Sequence, residues 1–156
     1  MMPIEDKIVE KLFSKFDKEI TGWMATHGMF ILRVGLGIVF FWFGMLKFFG
    51  GLSPAEELIR STVHFVDPDF FIPFLGAWET VIGVGLIAGR FMRGVLLLLF
   101  LHLPGTMLPV LAAPEKVWIR FPFVLTLEGQ YIIKNIVLIG SGFVLGATVK
   151  SKKKSL

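Results

Sequence analysis

The chain has 156 residues, of which 54% are hydrophobic and only 18% charged, and its mean hydropathy is +0.75. A soluble domain has about 45–50% apolar and about 25% charged residues, so the composition excludes this class and predicts an integral membrane protein. The chain has no cysteine, which excludes disulfides, thiolate zinc sites and cysteine-ligated iron–sulfur clusters. The net charge of +4 does not indicate a nucleic-acid partner, because Lys and Arg lie mainly beside the apolar runs.

Residues 1–26 are predicted to form an amphipathic helix that lies on the membrane surface. Apolar side chains recur at helical spacing, at Ile4, Ile8, Leu12, Phe16, Ile20 and Trp23. Four lysines form a basic stripe, namely Lys7, Lys11, Lys15 and Lys18. This pattern is typical of an interfacial helix on an anionic membrane face, and docking on another protein is the alternative. A signal peptide is not expected, because an apolar core and a small-residue cleavage pattern are both missing.

Residues 27–149 are predicted to form an all-α, four-helix transmembrane domain. The four apolar runs are helix length and cover about residues 29–49, 70–89, 91–112 and 129–149. The third run is expected to be interrupted at Pro104 and Pro109. Residues 150–156 are predicted to be a basic cytoplasmic tail.

The distribution of Lys and Arg predicts the orientation of the bundle. Four spans place both termini on one side of the membrane. On that side lie the amino-terminal lysines, Arg90, Arg93 and the basic tail, whereas the two opposite loops hold Arg60, Lys116 and Arg120. The positive-inside rule therefore predicts a multi-pass membrane protein with both termini in the cytoplasm.

The two outer loops also contain local signals. In the first, Ser53 at the N-cap and Pro54 at the first helical position predict a short helix that ends near Asp67. In the second, Trp118, Phe121 and Phe123 predict an aromatic belt at the membrane interface.

Glu79 lies near the middle of the second apolar run, where a carboxylate costs roughly 2.5–3.5 kcal/mol on insertion. Such a residue normally faces a protein partner or a cavity. Arg33, Lys134 and His102 are the three partners within predicted reach. Each run has one face of polar and small residues, which predicts a bundle with a polar interior.

These positions define a candidate ligand-binding site. Its predicted members are Glu79, His102, Lys134, Arg33, Lys47, Trp78 and Tyr131. Glu128 is a candidate to neutralise one of the lysines; otherwise the outer half of the bundle is electropositive and suits an anionic or polar headgroup. A face containing Gly37 and Gly44 allows close approach of another helix, either within the bundle or in a homo-oligomer.

Three sequence pieces resemble the DoxX family of small four-helix membrane proteins, over about residues 28–149. They are Arg33-Val-Gly-Leu-Gly with Gly44-Met-Leu-Lys47, then Trp78-Glu79-Thr80-Val-Ile-Gly83, and then Leu127-Glu128-Gly129-Gln130-Tyr131-Ile-Ile-Lys134-Asn135. The resemblance implies a bacterial or archaeal inner-membrane protein. Some members of the family are subunits of quinone-linked oxidoreductases, for instance of the thiosulfate:quinone type, and distant eukaryotic relatives are chaperones or cargo receptors.

The sequence therefore favours a quinone-linked membrane subunit with a site around Glu79, whose electrons come from a soluble or membrane partner subunit. Haem, iron–sulfur clusters and metals are not expected, since His27, His64 and His102 lie at different depths and the chain lacks cysteine. A buried ion-pair network that only fixes helix register explains the same charged residues equally well. The pattern is also compatible with a non-catalytic chaperone or scaffold, or with a small-molecule or lipid-binding transporter.

Overall fold

The computed structural model describes residues 4–64 and 66–149, with side chains described from residue 14 onward. Most of the described residues are helical. One small antiparallel sheet of two strands lies between the third and fourth membrane-spanning segments. The elements are α1 (Ile4–Leu46), α2 (Glu56–Thr62), α3 (Pro68–Ala88), α4 (Met92–Ala112), α5 (Pro114–Val117), β1 (Trp118–Arg120), β2 (Val124–Leu125), α6 (Leu127–Ile133) and α7 (Asn135–Thr148).

Four segments are long and apolar enough to cross a membrane, which confirms the predicted all-α, four-span architecture. They are Ser14–Leu46, Pro68–Ala88, Met92–Ala112 and Leu127–Thr148. The fourth segment combines α6 and α7, which are separated by Lys134 alone. Lys134 has φ −57° and ψ −23°, so it keeps helical dihedral angles.

The amino-terminal segment continues into the first span without a helix break, since α1 runs from Ile4 to Leu46. The predicted division into residues 1–26 and 27–149 stays a prediction. By its internal contacts the chain divides into two compact units between Leu32 and Arg33. In the first unit, the ring of Trp23 stacks on that of His27 at 5.0 Å, and Lys15 and Lys18 are exposed.

The interfacial position of this segment and its alternative, docking on a protein, stay predictions. The side chains of Lys7 and Lys11 and the basic tail lie outside the described residues.

The predicted interruption of the third span is wrong, because α4 is helical through Pro104 and Pro109. Each proline lacks an N–H and therefore removes one backbone hydrogen bond, but the neighbouring bonds continue the helix. Thr106 Oγ1 donates to the Leu103 carbonyl at 2.7 Å beside the first proline, and the Ala113 N–H donates to the Pro109 carbonyl at 2.9 Å.

The short outer helix exists, but its predicted N-cap is wrong by two residues. α2 begins at Glu56 with Ala55 at the N-cap, and the Ser53 carbonyl accepts the Glu56 N–H at 3.1 Å in the preceding turn. The Glu56 carboxylate accepts the N–H of Gly51 at 2.7 Å, which fixes the approach to α2. Asp67 caps the following span by accepting the Asp69 N–H at 3.0 Å.

The second outer loop forms α5 and a hairpin of β1 and β2, in which Trp118 pairs with Leu125. Phe121 and Phe123 at the hairpin are strongly exposed, as an aromatic belt requires. The base of the hairpin is buried, since Leu58, Val117 and Ile132 form a core cluster there. This cluster joins both outer loops to the start of the fourth span.

Glycines set the contact between α1 and α3. A Cβ at Gly44 would lie 2.7 Å from the Thr80 nitrogen, and a Cβ at Gly37 would lie 3.0 Å from the Gly83 carbonyl oxygen. Because residue numbers rise on α1 as they fall on α3, the two helices are antiparallel. The Gly37–Gly44 face is therefore used inside the bundle.

Candidate functional site

Glu79 binds two side chains in the interior of the bundle. Its Oε2 accepts from Lys47 Nζ at 2.6 Å, and its Oε1 lies 3.0 Å from His102 Nε2. All three residues are buried, with exposed fractions of 5% for Lys47, 7% for Glu79 and 7% for His102. The carboxylate thus joins α1, α3 and α4 through one network.

The glycine contact explains why Lys47 reaches Glu79. A Cβ at Gly76 would lie 2.9 Å from the Cβ of Lys47, so the lysine starts directly against α3, one helical turn from Glu79. Lys47 Nζ also lies 3.4 Å from the Phe43 carbonyl, within hydrogen-bonding distance on its own helix. Close backbone approach therefore places a short, buried ion pair between the two helices.

His102 is oriented from two sides. Its Nε2 faces Glu79, and its ring meets the edge of Phe40 with a centroid distance of 6.0 Å. When Nε2 carries the ring proton and donates a hydrogen bond to the carboxylate, Nδ1 holds the lone pair of the neutral ring. Nδ1 has no hydrogen-bond partner within residues 14–64 and 66–149.

Lys134 lies at the junction of α6 and α7, on the same side as the network. Its Nζ is 3.6 Å from the ring centroid of Tyr131 and 4.4 Å from that of Phe43. These are cation–π contacts, and no carboxylate of the described chain forms an ion pair with it. Glu128, the candidate to neutralise a lysine, forms no ion pair with Lys134 among the described residues.

These groups line one cavity of about 230 Å³ between the four spans. Its polar wall consists of Lys47, Thr62, Glu79, His102, Thr106, Tyr131, Lys134 and Asn135. Apolar side chains form the rest of the wall, including Phe40, Phe43, Leu75 and Leu103 from the spans and Leu58 and Ile59 from α2. Leu108 also lines the cavity and is 40% exposed, so the cavity reaches the surface of the bundle.

Five of the seven predicted site residues line this cavity, namely Lys47, Glu79, His102, Tyr131 and Lys134. Of the three predicted partners of Glu79, His102 contacts it and Arg33 and Lys134 do not. The second partner of Glu79 is Lys47, which was predicted as a site residue but not as a partner of Glu79.

Arg33 and Trp78 are not part of the cavity wall. Arg33 donates from Nη1 to the Leu86 carbonyl at 2.7 Å and so satisfies the carboxyl-terminal end of α3. Trp78 donates from Nε1 to the Leu98 carbonyl at 3.1 Å and so links α3 to α4. Both bonds thus join neighbouring helices, and a ligand-binding role of these two residues stays a prediction.

Sequence reasoning missed Asn135 and Thr106. Asn135 Nδ2 donates to Thr106 Oγ1 at 2.9 Å, and Asn135 is only 5% exposed. The signal was present, since Asn135 directly follows Lys134 and Thr106 lies one turn from His102. Their pairing depends on the packing of α4 against α7, which the sequence did not define.

Comparison with known proteins supports the resemblance for the first three spans. The DoxX family model matches residues 28–112, which include Arg33, Lys47, Glu79 and His102. No curated protein and no solved structure matches the chain. Residues 127–135, with Tyr131 and Lys134, lie beyond the matched segment. Because the match covers more than half of the 156 residues, this multi-pass membrane protein belongs to the DoxX family.

Proposed function

We propose that the chain is the membrane subunit of a quinone-linked oxidoreductase system and binds the quinone headgroup in the cavity beside Glu79. The observation that carries the proposal is a buried Lys47–Glu79–His102 network on the wall of a largely apolar cavity. Ligand sites typically combine apolar walls with a few converging polar groups.

The residues present fit such a headgroup. A quinone ring is flat and apolar on its faces and carries hydrogen-bonding oxygens at its edge. Aromatic and aliphatic side chains, among them Phe40, Phe43 and Tyr131, supply apolar walls. Lys134 supplies a donor for a carbonyl oxygen of the quinone, and the unprotonated Nδ1 of His102 supplies an acceptor for a hydroxyl of the reduced quinol.

When bound, the quinone supplies two-electron redox chemistry that is coupled to protons. The residues of this chain provide the proton position. His102 Nδ1 accepts a hydrogen bond or a proton from a ring hydroxyl, while Glu79 holds Nε2–H and stabilises the charge that develops on the imidazole. Lys47 neutralises the charge of the Glu79 carboxylate and holds it in place, so the hydrogen-bond network is already formed before His102 accepts a proton.

A small-molecule extraction tests this proposal. Gently purified wild-type protein is extracted with organic solvent, and quinones are quantified by mass spectrometry per mole of protein. We expect the wild type and Trp78→Phe to retain quinone, since Trp78 lies outside the cavity wall. Glu79→Gln is expected to lose it, and equal quinone content in all three proteins would refute the proposal.

A non-catalytic scaffold is the second candidate function. It is favoured by the fact that both carboxylate oxygens of Glu79 already have partners within the chain. In that case the network fixes the register of α1, α3 and α4 only, and no variant of it changes ligand content. The transporter hypothesis relied on a break in the third span, which α4 does not have.

A further inference from the structure

We infer that Lys134 forms an anion-selecting subsite, so that the cavity takes an amphiphilic ligand with one ionised oxygen beside its apolar ring. The inference concerns the same cavity as the proposed function, rests on that function, and adds the charge of the ligand to it. It depends on the charges of the cavity wall and on the surroundings of Lys134.

The cavity wall has an excess of positive charge. Lys47 and Glu79 neutralise each other at 2.6 Å. His102 bonds to Glu79 and carries no negative charge in either protonation state. Lys134 is the remaining cation of the wall, and no described carboxylate pairs with it.

Lys134 also lies well inside the fourth membrane-spanning segment, where an unpaired charge is costly. It lies seven residues after Leu127, where the fourth span begins, which is ~10 Å at 1.5 Å per residue. Charged groups at such depth normally have a charged partner or line a cavity. The rings of Tyr131 and Phe43 contact the ammonium but carry no net charge, so its positive charge is not neutralised.

The ammonium is positioned for a ligand rather than for the bundle. It rests on the face of Tyr131 and donates no hydrogen bond to residues 14–64 or 66–149, so its N–H groups are available to the cavity. Asn135 and Thr106 line the same cavity, and Asn135 donates a hydrogen bond to Thr106, which holds both side chains in place. An ionised oxygen at this position would accept a charge-assisted hydrogen bond.

Two ring probes of almost equal shape test the inference. The first is 2-hydroxy-1,4-naphthoquinone, whose hydroxyl is ionised at neutral pH. The second is 2-methyl-1,4-naphthoquinone, which is neutral. Affinities are measured by calorimetry on the full chain in phosphatidylcholine nanodiscs. We expect the anionic probe to bind wild type about tenfold or more tightly than the neutral one.

Variants of the lysines identify the source of this preference. Lys134→Gln is expected to abolish the preference while still binding the neutral probe, and Lys134→Arg to keep it. Lys116→Gln is the matched control, because Lys116 is an exposed cation that pairs with Glu57 outside the cavity. Equal affinity for both probes in wild type, or a preference that survives Lys134→Gln, would overturn the inference.

An acidic lipid could supply the same ionised oxygen, and a second arm distinguishes the two sources. Nanodiscs that contain phosphatidylglycerol weaken the anionic probe in wild type, but not in Lys134→Gln, when the lipid phosphate competes for the subsite. If neither probe binds in any disc, the proposed quinone function fails. Retention of phosphatidylglycerol through purification by wild type but not by Lys134→Gln would then still support the anion subsite, and equal retention would overturn it.

Discussion

At the scale of single residues, the buried Lys47–Glu79 pair is the most sensitive point of the bundle. Removing one partner leaves an uncompensated buried charge, which typically costs about 3–5 kcal/mol. Glu79→Gln removes the charge but keeps an oxygen that can accept from His102. We therefore expect this variant to unfold at a clearly lower temperature than wild type in detergent.

A double variant separates charge balance from packing. Lys47→Met removes the cation that Glu79→Gln leaves behind, and Met has similar length and suits an apolar interior. We expect the double variant Lys47→Met with Glu79→Gln to be more stable than either single variant, because no unpaired charge remains. If the two single losses simply add in thermal unfolding, the pair is not coupled as the 2.6 Å contact requires.

Much of this site was predictable from side-chain chemistry. A carboxylate in the middle of an apolar span needs a partner, and periodicity placed Glu79, His102, Lys134 and Lys47 on inward faces. The identity of the partner was not predictable, because it depends on the vertical register of α1 against α3. That register is set by backbone contact at Gly44 and Gly76, and a periodic pattern contains no information about it.

At the scale of elements, the α1–α3 contact predicts a large effect of one methyl group. Gly44→Ala would place a Cβ 2.7 Å from the Thr80 nitrogen and 2.8 Å from the Gly76 carbonyl oxygen, so one helix must shift. Overpacking of this kind typically costs about 1–3 kcal/mol. We expect a lower unfolding temperature and, because Lys47 lies one turn further on, a reduced content of bound ligand.

Gly140→Ala is the control for this substitution. Gly140 lies within α7, and a Cβ there would have no neighbour within 4 Å. Since Ala favours the helix by about 1 kcal/mol over Gly, this variant should be as stable as wild type or more so. Equal destabilisation by both substitutions would mean that the close approach of α1 and α3 is not what Gly44 provides.

The outer helix α2 gives a prediction about pH. The Gly51 N–H and the Arg60 guanidinium hold the pKa of Glu56 below its ordinary value of 4.5. A lowered pKa in the folded state adds stability above the ordinary value, and this stability is lost as the pH falls through the folded pKa. Wild type should therefore lose thermal stability between about pH 5 and pH 3, and Glu56→Gln should lose less over this range.

The outer elements also show where sequence reasoning stops. The short helix and its acidic first turn were predictable, but Ser53 was assigned as the cap because its side chain suits that position. The chain instead makes a turn after Ser53, and Glu56 bonds back to Gly51. The hairpin of β1 and β2 was not predicted, because strands of three and two residues are too short to produce a periodic signal.

At the scale of the whole molecule, the distribution of Lys and Arg predicts the orientation in the membrane. Because the natural chain has no cysteine, single cysteines report topology without background. We expect Glu115→Cys, in the second outer loop, to react with an impermeant maleimide in intact cells from which any outer membrane has been removed. Ser14→Cys should react only after the inner membrane is permeabilised.

The opposite labelling pattern would mean that the protein has the reverse orientation in the membrane. Labelling of both sites in intact cells would contradict the predicted cytoplasmic amino terminus. Neither result would alter the cavity itself, whose walls come from the packing of α1, α2, α3, α4, α6 and α7. A reversed orientation would change only the side of the membrane on which α2 covers the cavity.

Photochemical labelling is the most direct test of the central claim that the Glu79 cavity is a quinone site. The protein in nanodiscs is irradiated with an azido-substituted short-chain quinone, digested, and sequenced by mass spectrometry. We predict labels on the cavity wall, at Phe43, His102 or Tyr131, that disappear with an excess of unlabelled quinone and in Glu79→Gln. Labels confined to outward-facing side chains such as Ile38, Val81 and Ile136, or labels that excess quinone does not remove, would contradict a quinone site at Glu79.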